Sequence, residues 1–133
     1  MTLREILHAH APTLSLESTM RDAVDKMDIY QFAALPILDE DSKPVAVITE
    51  GDICRLADKE GSLVRIASDL AFDHATKSPT VAHPDEEVSE ALHRMLRSGL
   101  TVLPIVEHQR YCGIVLRVDL MQAILQDMAT DRA

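Results

Sequence analysis

The segment Ala46-Val47-Ile48-Thr49-Glu50-Gly51-Asp52 places a hydroxyl and a carboxylate three residues apart at the end of an apolar, β-branched run. Such a run is strand-like, and a threonine at its end can open a helix. A helix start leaves backbone N–H groups unpaired and carries partial positive charge, which suits an anionic or polyhydroxylated ligand. A carboxylate there can accept hydrogen bonds from both vicinal hydroxyls of a ribose. Thr49-x-x-Asp52 is also a variant of the capping box, which would serve the helix with no ligand at all. The local pattern allows both readings. A second segment, Gly113-Ile114-Val115-Leu116-Arg117-Val118-Asp119, keeps the acid but has Leu116 where Thr49 stands. Leucine cannot cap, and Asp119 at the third helical position favours the dipole with or without a ligand. The two positions are unequal.

Little else in the chain offers chemistry. The histidines His8, His10, His74, His83, His93 and His108 are scattered, and His8-x-His10 has no carboxylate or cysteine at a ligand spacing, so no metal site is expected. Asp39-Glu40-Asp41 reads as a solvated turn, and Asp85-Glu86-Glu87 as compensation of a helix dipole. Met20, Met27, Met95, Met121 and Met128 sit at helical spacing and read as core or interface. There is no nucleophile–base pattern and no Gly-rich phosphate loop. No catalytic residue, no covalent cofactor and no enzymatic activity are expected.

The elements that must position these residues occur twice. Ala23-x-x-x-Met27 is followed nine residues on by Pro36, and Ala91-x-x-x-Met95 nine residues on by Pro104. The offset is 68 for these three pairs and 67 for Asp52/Asp119. Repeated units usually pack on each other, so a site between them is expected. A helix opens the chain at Leu3–His8, and Ala11–Leu16 is an extended leading strand. Thr19 caps a helix with Met20, Ala23, Val24, Met27 and Tyr30 on one stripe. Ala34–Leu38 and Val45–Ile48 are strands, and a helix runs from Thr49 to near Gly61. The second copy repeats the order: a leading strand at Thr80-Val81, a helix from Glu87 closed by Gly99, strands at Val102–Val106 and Tyr111–Val115, and a helix from Arg117. The fold class is α+β with two βαββα repeats. Residues 1–61 form the first repeat, 62–79 a linker with a helical turn at Ile66–Leu70, and 80–133 the second repeat.

The chain has 133 residues and a formal net charge of −9, with only 3% aromatics. Phosphate backbones are bound by clustered Lys and Arg, and single strands by stacking aromatics, so nucleic acid is not an expected partner. No apolar run approaches the ~20 residues that span a bilayer, so no membrane association is expected. Cys54 and Cys112 fall in no metal-ligand spacing and read as reduced thiols of a cytoplasmic protein.

With both copies in view, the chain resembles a tandem pair of cystathionine β-synthase (CBS) domains. The carrying residues are Ala23-x-x-x-Met27, Leu35-Pro36-Ile37-Leu38-Asp39 and Val47-Ile48-Thr49-x-x-Asp52-Ile53 in the first copy. In the second they are Ala91-x-x-x-Met95, Leu103-Pro104-Ile105-Val106 and Gly113-Ile114-Val115-x-x-x-Asp119-Leu120. The resemblance implies two sheets packed with pseudo-twofold symmetry, with two clefts that take regulatory ligands such as AMP, ADP, ATP, S-adenosylmethionine or NAD. It implies Thr49 and Asp52 for the sugar and first phosphate of one cleft, with Thr80, Thr101 and Val102 around the base. It implies Asp119 for the second, with Thr13, Ala33 and Ala34 around the base. Leu116 removes a hydroxyl there, so that cleft is expected to be the weaker. Glu50 repels a di- or triphosphate, and Ala33-Ala34 and Thr101-Val102 stand where some phosphate-binding members carry His or Arg. AMP-like or S-adenosyl ligands are therefore expected over ATP. The function implied is a non-catalytic regulatory module, a homodimer signalling to a protein target in trans. The alternative is a ligand-free dimerisation module with vestigial clefts, in which Thr49 only caps a helix and Met121, Ile124 and Met128 help form the dimer face.

Overall fold

Thr19 closes a complete capping box with Asp22, and the helix it starts, α1, runs Met20–Tyr30. The computed structural model describes residues 1–132, with side chains described through residue 127. The chain forms two compact units, the first made of Ala11–Pro79 and the second of Met1–His10 with Thr80 onward.

In the first unit, β1 (Leu14–Ser15), β2 (Ala34–Leu38), β3 (Pro44–Thr49) and β4 (Thr76–Lys77) form one sheet in that order. β1 runs parallel to β2, and β3 is antiparallel to both of its neighbours. The helices are α1, α2 (Glu50–Glu60), and two short ones, α3 (Leu63–Ile66) and α4 (Ala71–His74). Leu14, Met20, Ala23, Leu35, Ile37, Ile48 and Ile53 share its core. The stripe on α1 stops short of its last residue, since Tyr30 is exposed.

The second unit holds α5 (Val88–Ser98), the hairpin β5 (Val102–Glu107) with β6 (Arg110–Leu116), and α6 (Arg117–Arg132). A 3-10 turn at Leu3–Glu5 joins them, with Leu3 fully buried beside Val88, Met95 and Leu103. Single bridges complete the pattern of the first unit. Ala82 meets Ile105 in parallel as Leu14 meets Ile37, and His8 meets Ile114 as Thr76 meets Val47. Glu87 bridges Thr2 as Thr19 bridges Leu70. Two βαββα repeats are thus present, each sheet edged by a segment that precedes the other repeat's leading strand.

The compact units therefore do not coincide with the sequence repeats. Residues 1–10, assigned to the first repeat by sequence, pack in the second unit because Leu3 finds its apolar partners there. Residues 62–79 are not a bare linker, since Ile66 and Ala71 enter the first unit's core and β4 extends its sheet. The helical turn expected at 66–70 is a single turn, with the Asp69 N–H on the Ile66 carbonyl at 3.1 Å, that follows a helix begun earlier. Ser62 caps α3 earlier, and the carbonyls of Ala67 and Asp69 accept the first N–H groups of α1. With those carbonyls taken by α1, the helix does not continue beyond this turn. Thr80-Val81 is likewise no strand, and pairing starts at Ala82. The opening helix is a 3-10 turn that ends at Glu5.

Candidate functional site

At the start of α2, strand β3 hands over to the helix within one residue, because Thr49 is extended (φ −113°, ψ 160°) and its side chain caps the first turn. Thr49 Oγ1 accepts the Asp52 N–H at 3.1 Å, and Asp52 Oδ2 accepts the Thr49 N–H at 3.0 Å. The capping box is complete. The other carboxylate oxygen, Oδ1, accepts from Arg55 Nη2 at 2.8 Å. Arg55 is 74% exposed and Asp52 only 25%, so the guanidinium covers a carboxylate largely withdrawn from water. Glu50 is exposed, and its N–H donates to the Ala33 carbonyl at 2.8 Å.

The start of α6 is built alike but wired differently. The Arg117 N–H donates to the Thr101 carbonyl at 3.0 Å, matching Glu50 on Ala33. Asp119 Oδ2 accepts the Leu116 N–H at 3.0 Å, which is half of a box. Leu116 has no hydroxyl to return the bond. The same oxygen takes a second bond, 2.8 Å long, from His8 Nε2. A carboxylate can only accept, so Nε2 carries the proton.

Of the residues expected around the first base, Val102 is buried in β5 opposite Leu116, while Thr101 and Thr80 are outside the core. All three belong to the second unit, whereas Thr49 and Asp52 belong to the first. Of those expected beside Asp119, Ala34 is buried in β2 opposite Thr49, and Ala33 is outside the core. The Thr13 carbonyl accepts from Lys26 Nζ. These three lie in the first unit and Asp119 in the second. Within its own unit, each acid is brought together with a strand end and a preceding carbonyl. Ala33 and Glu50 also line an open groove of about 430 Å³ with Met27, Phe32, Ile53 and Cys54; neither Thr49 nor Asp52 does.

Two features carry no signal in the spacing of the sequence, because each joins residues far apart in the chain. One is the bond from His8 to Asp119. The other joins His83, Asp85 and Glu107, whose potential ligand atoms lie within 4.8 Å of one another. Arg4 occupies this cluster, with Nη2 at 2.7 Å from Glu107 Oε2 and 3.1 Å from Asp85 Oδ1. Its hydrogen bonds hold the Glu107 carboxyl below the usual carboxylate range and raise the guanidinium's own pKa. One cation already bridges both acids, so the cluster reads as an ionic tie between the N-terminal segment and the β5–β6 hairpin. In the second unit, burial pushes the Tyr111 hydroxyl up to about 12.

Two βαββα repeats, each with an acid at the third position of its closing helix, define the class of fold. The CBS domain family matches residues 3–59 and 67–126, and the chain belongs to that family. Among relatives, an uncharacterised protein of Methanocaldococcus jannaschii is 27% identical over 128 residues, 96% of this chain and 44% of that protein. The inosine-5'-monophosphate dehydrogenase of the same organism is 29% identical over 119 residues, 89% of this chain but only 22% of the enzyme. The chain thus spans less than half the length of these curated relatives. Among solved structures, CBSX2 in complex with AMP superposes with a TM-score of 0.82 at 21% identity, covering 96% of this chain and 98% of that one. A CBS-domain protein from Agrobacterium tumefaciens gives 0.84 at 16%, covering 93% and 99%. At such identities these structures show the shared fold.

Proposed function

We propose that this chain is a non-catalytic regulatory module that binds an adenosine-containing ligand, with Thr49 and Asp52 at its sugar and first phosphate. The observation that carries the reading is the start of α2. A carboxylate three-quarters shielded from solvent is covered by one exposed arginine at a helix N-terminus. Exchange of Arg55 from the carboxylate to a phosphate would free Oδ1 for ribose hydroxyls. It would also add a cation to the helix dipole, and arginine suits phosphate through its planar fork of donors. Glu50 beside it disfavours a longer phosphate chain, so AMP or an S-adenosyl ligand is favoured over ATP. Thr80, Thr101 and Val102 complete the proposal on the base side. AMP in the CBSX2 complex supports this ligand class. Ligand binding would bias the chain between conformations and so report to a protein target in trans, from a homodimer in the cytoplasm.

The finished capping box supports a second reading, a ligand-free dimerisation module, since both of its members already serve the helix. Exposed Val118, Met121 and Leu125 on α6 offer such a module an apolar face. Ile124 packs partly against its own core, and the side chain of Met128 lies outside the described residues.

Thermal denaturation of the purified chain with AMP, ATP, S-adenosylmethionine and NAD separates the two. A ligand of the native state at about 100 times its Kd adds about 2.7 kcal/mol and raises Tm by several degrees. A rise with AMP or S-adenosylmethionine that exceeds the rise with ATP is expected. A flat panel would replace the ligand reading with the dimerisation module.

A further inference from the structure

We infer that Asp119 is not the second ligand-binding acid of this chain but the anchor of a latch, which holds the N-terminal segment on β6 through His8. The inference rests on the ligand reading for its second half only. The equivalent acids are in different states. Asp52 offers Oδ1 to a solvent-exposed arginine on its own helix. Asp119 instead binds an imidazole that arrives from 111 residues away and is itself part of the sheet edge. The His8 N–H donates to the Ile114 carbonyl at 2.8 Å, and the Ile114 N–H donates to the His8 carbonyl at 3.3 Å. The backbone of His8 is thereby fixed at the point where its ring reaches Oδ2.

Gly113 makes the approach possible. A Cβ on it would lie 2.6 Å from the His8 carbonyl oxygen and 2.8 Å from Leu7 Cδ1. The first unit has Ala46 at this place, paired with Lys77, and its counterpart of His8 is Thr76, a side chain too short to serve as the same clamp. Only the second copy combines a glycine, a histidine and a missing cap hydroxyl. Leu116 leaves Asp119 with half a box, and His8 supplies the second bond to its carboxylate. An adenosine sugar would have to displace an imidazole tethered by two backbone bonds, whereas at Asp52 it displaces only a side-chain tip.

The test pairs hydrogen exchange with calorimetry on the full chain. Asp119→Ala and His8→Ala should each speed exchange of the His8 and Ile114 amides by about tenfold or more. His8→Gln, which can still donate to Oδ2, should stay nearer the parent. Titration with AMP should give about one ligand per chain for the parent and for Asp119→Ala alike. Unchanged amide exchange in Asp119→Ala would overturn the latch. Two AMP per chain, or one site lost in Asp119→Ala, would overturn the withdrawal of Asp119 from binding. If the parent binds no AMP, the ligand reading falls, and the latch stands or falls on the exchange rates alone.

Discussion

Asp52 and Asp119 show how one residue type in one backbone setting acquires two roles from its neighbours. At Asp52 the cap hydroxyl of Thr49 is intrinsic to the helix, so its removal has a helix-sized cost. Thr49→Ala is expected to destabilise the chain by about 1 kcal/mol, read as a lower urea midpoint at constant slope. At Glu107 the relevant neighbour is Arg4, on a segment 103 residues away. Its hydrogen bonds lower the Glu107 pKa in the folded state from an ordinary 4.5. A lowered folded value means the tie stabilises above the unfolded pKa and is lost as pH falls through the folded one. Glu107→Gln should therefore lose less stability than the parent as pH falls below the ordinary 4.5 of the glutamate, in pH-dependent urea melts. An identical acid limb would show that the tie contributes nothing.

The elements differ most instructively at their ends. Helices α1 and α5 finish at positions 68 apart, both left-handed, but α1 ends on Gln31 (φ 58°) and α5 on Gly99 (φ 67°). A left-handed conformation strains any residue with a Cβ, so Gln31→Gly is expected to stabilise by roughly 0.5–1 kcal/mol in thermal melts. A loss instead would mean that the Gln31 side-chain bond to the Asp28 carbonyl outweighs the strain. At β6, Gly113→Ala should destabilise by about 1–3 kcal/mol, because the nearest atom is a backbone carbonyl that cannot swing aside. The sequence displayed what is local. The helices from Thr19 and Thr49, the Leu-Pro strands and both acids follow from spacing of a few residues. It concealed whatever depends on distant partners. The edge strand Thr76-Lys77, the capture of the α1 amides by the Ala67 and Asp69 carbonyls, and the His8–Asp119 bond all need the fold before they have a reason.

The same division holds for the molecule as a whole. The internal repeat is visible in the sequence because it recurs at a nearly constant offset, and it identified the family. The boundaries of the compact units are not visible there. They arise because each repeat lends its preceding segment to the other's sheet, which leaves no composition signal. Within that arrangement the two copies differ, one acid at a fully capped helix start being covered by an exposed arginine of its own helix and the other being bonded to a histidine of the sheet edge. The most direct test of this asymmetry and of the ligand reading together is isothermal titration of the chain with AMP, set beside Asp52→Asn. Asparagine retains an acceptor for the Thr49 N–H but lacks the charge and second acceptor oxygen that the ribose requires. Saturable binding in the parent that falls by about tenfold or more in Asp52→Asn is expected. Equal AMP binding by both, or none by the parent, would contradict the assignment of this module to an adenosine ligand at Asp52.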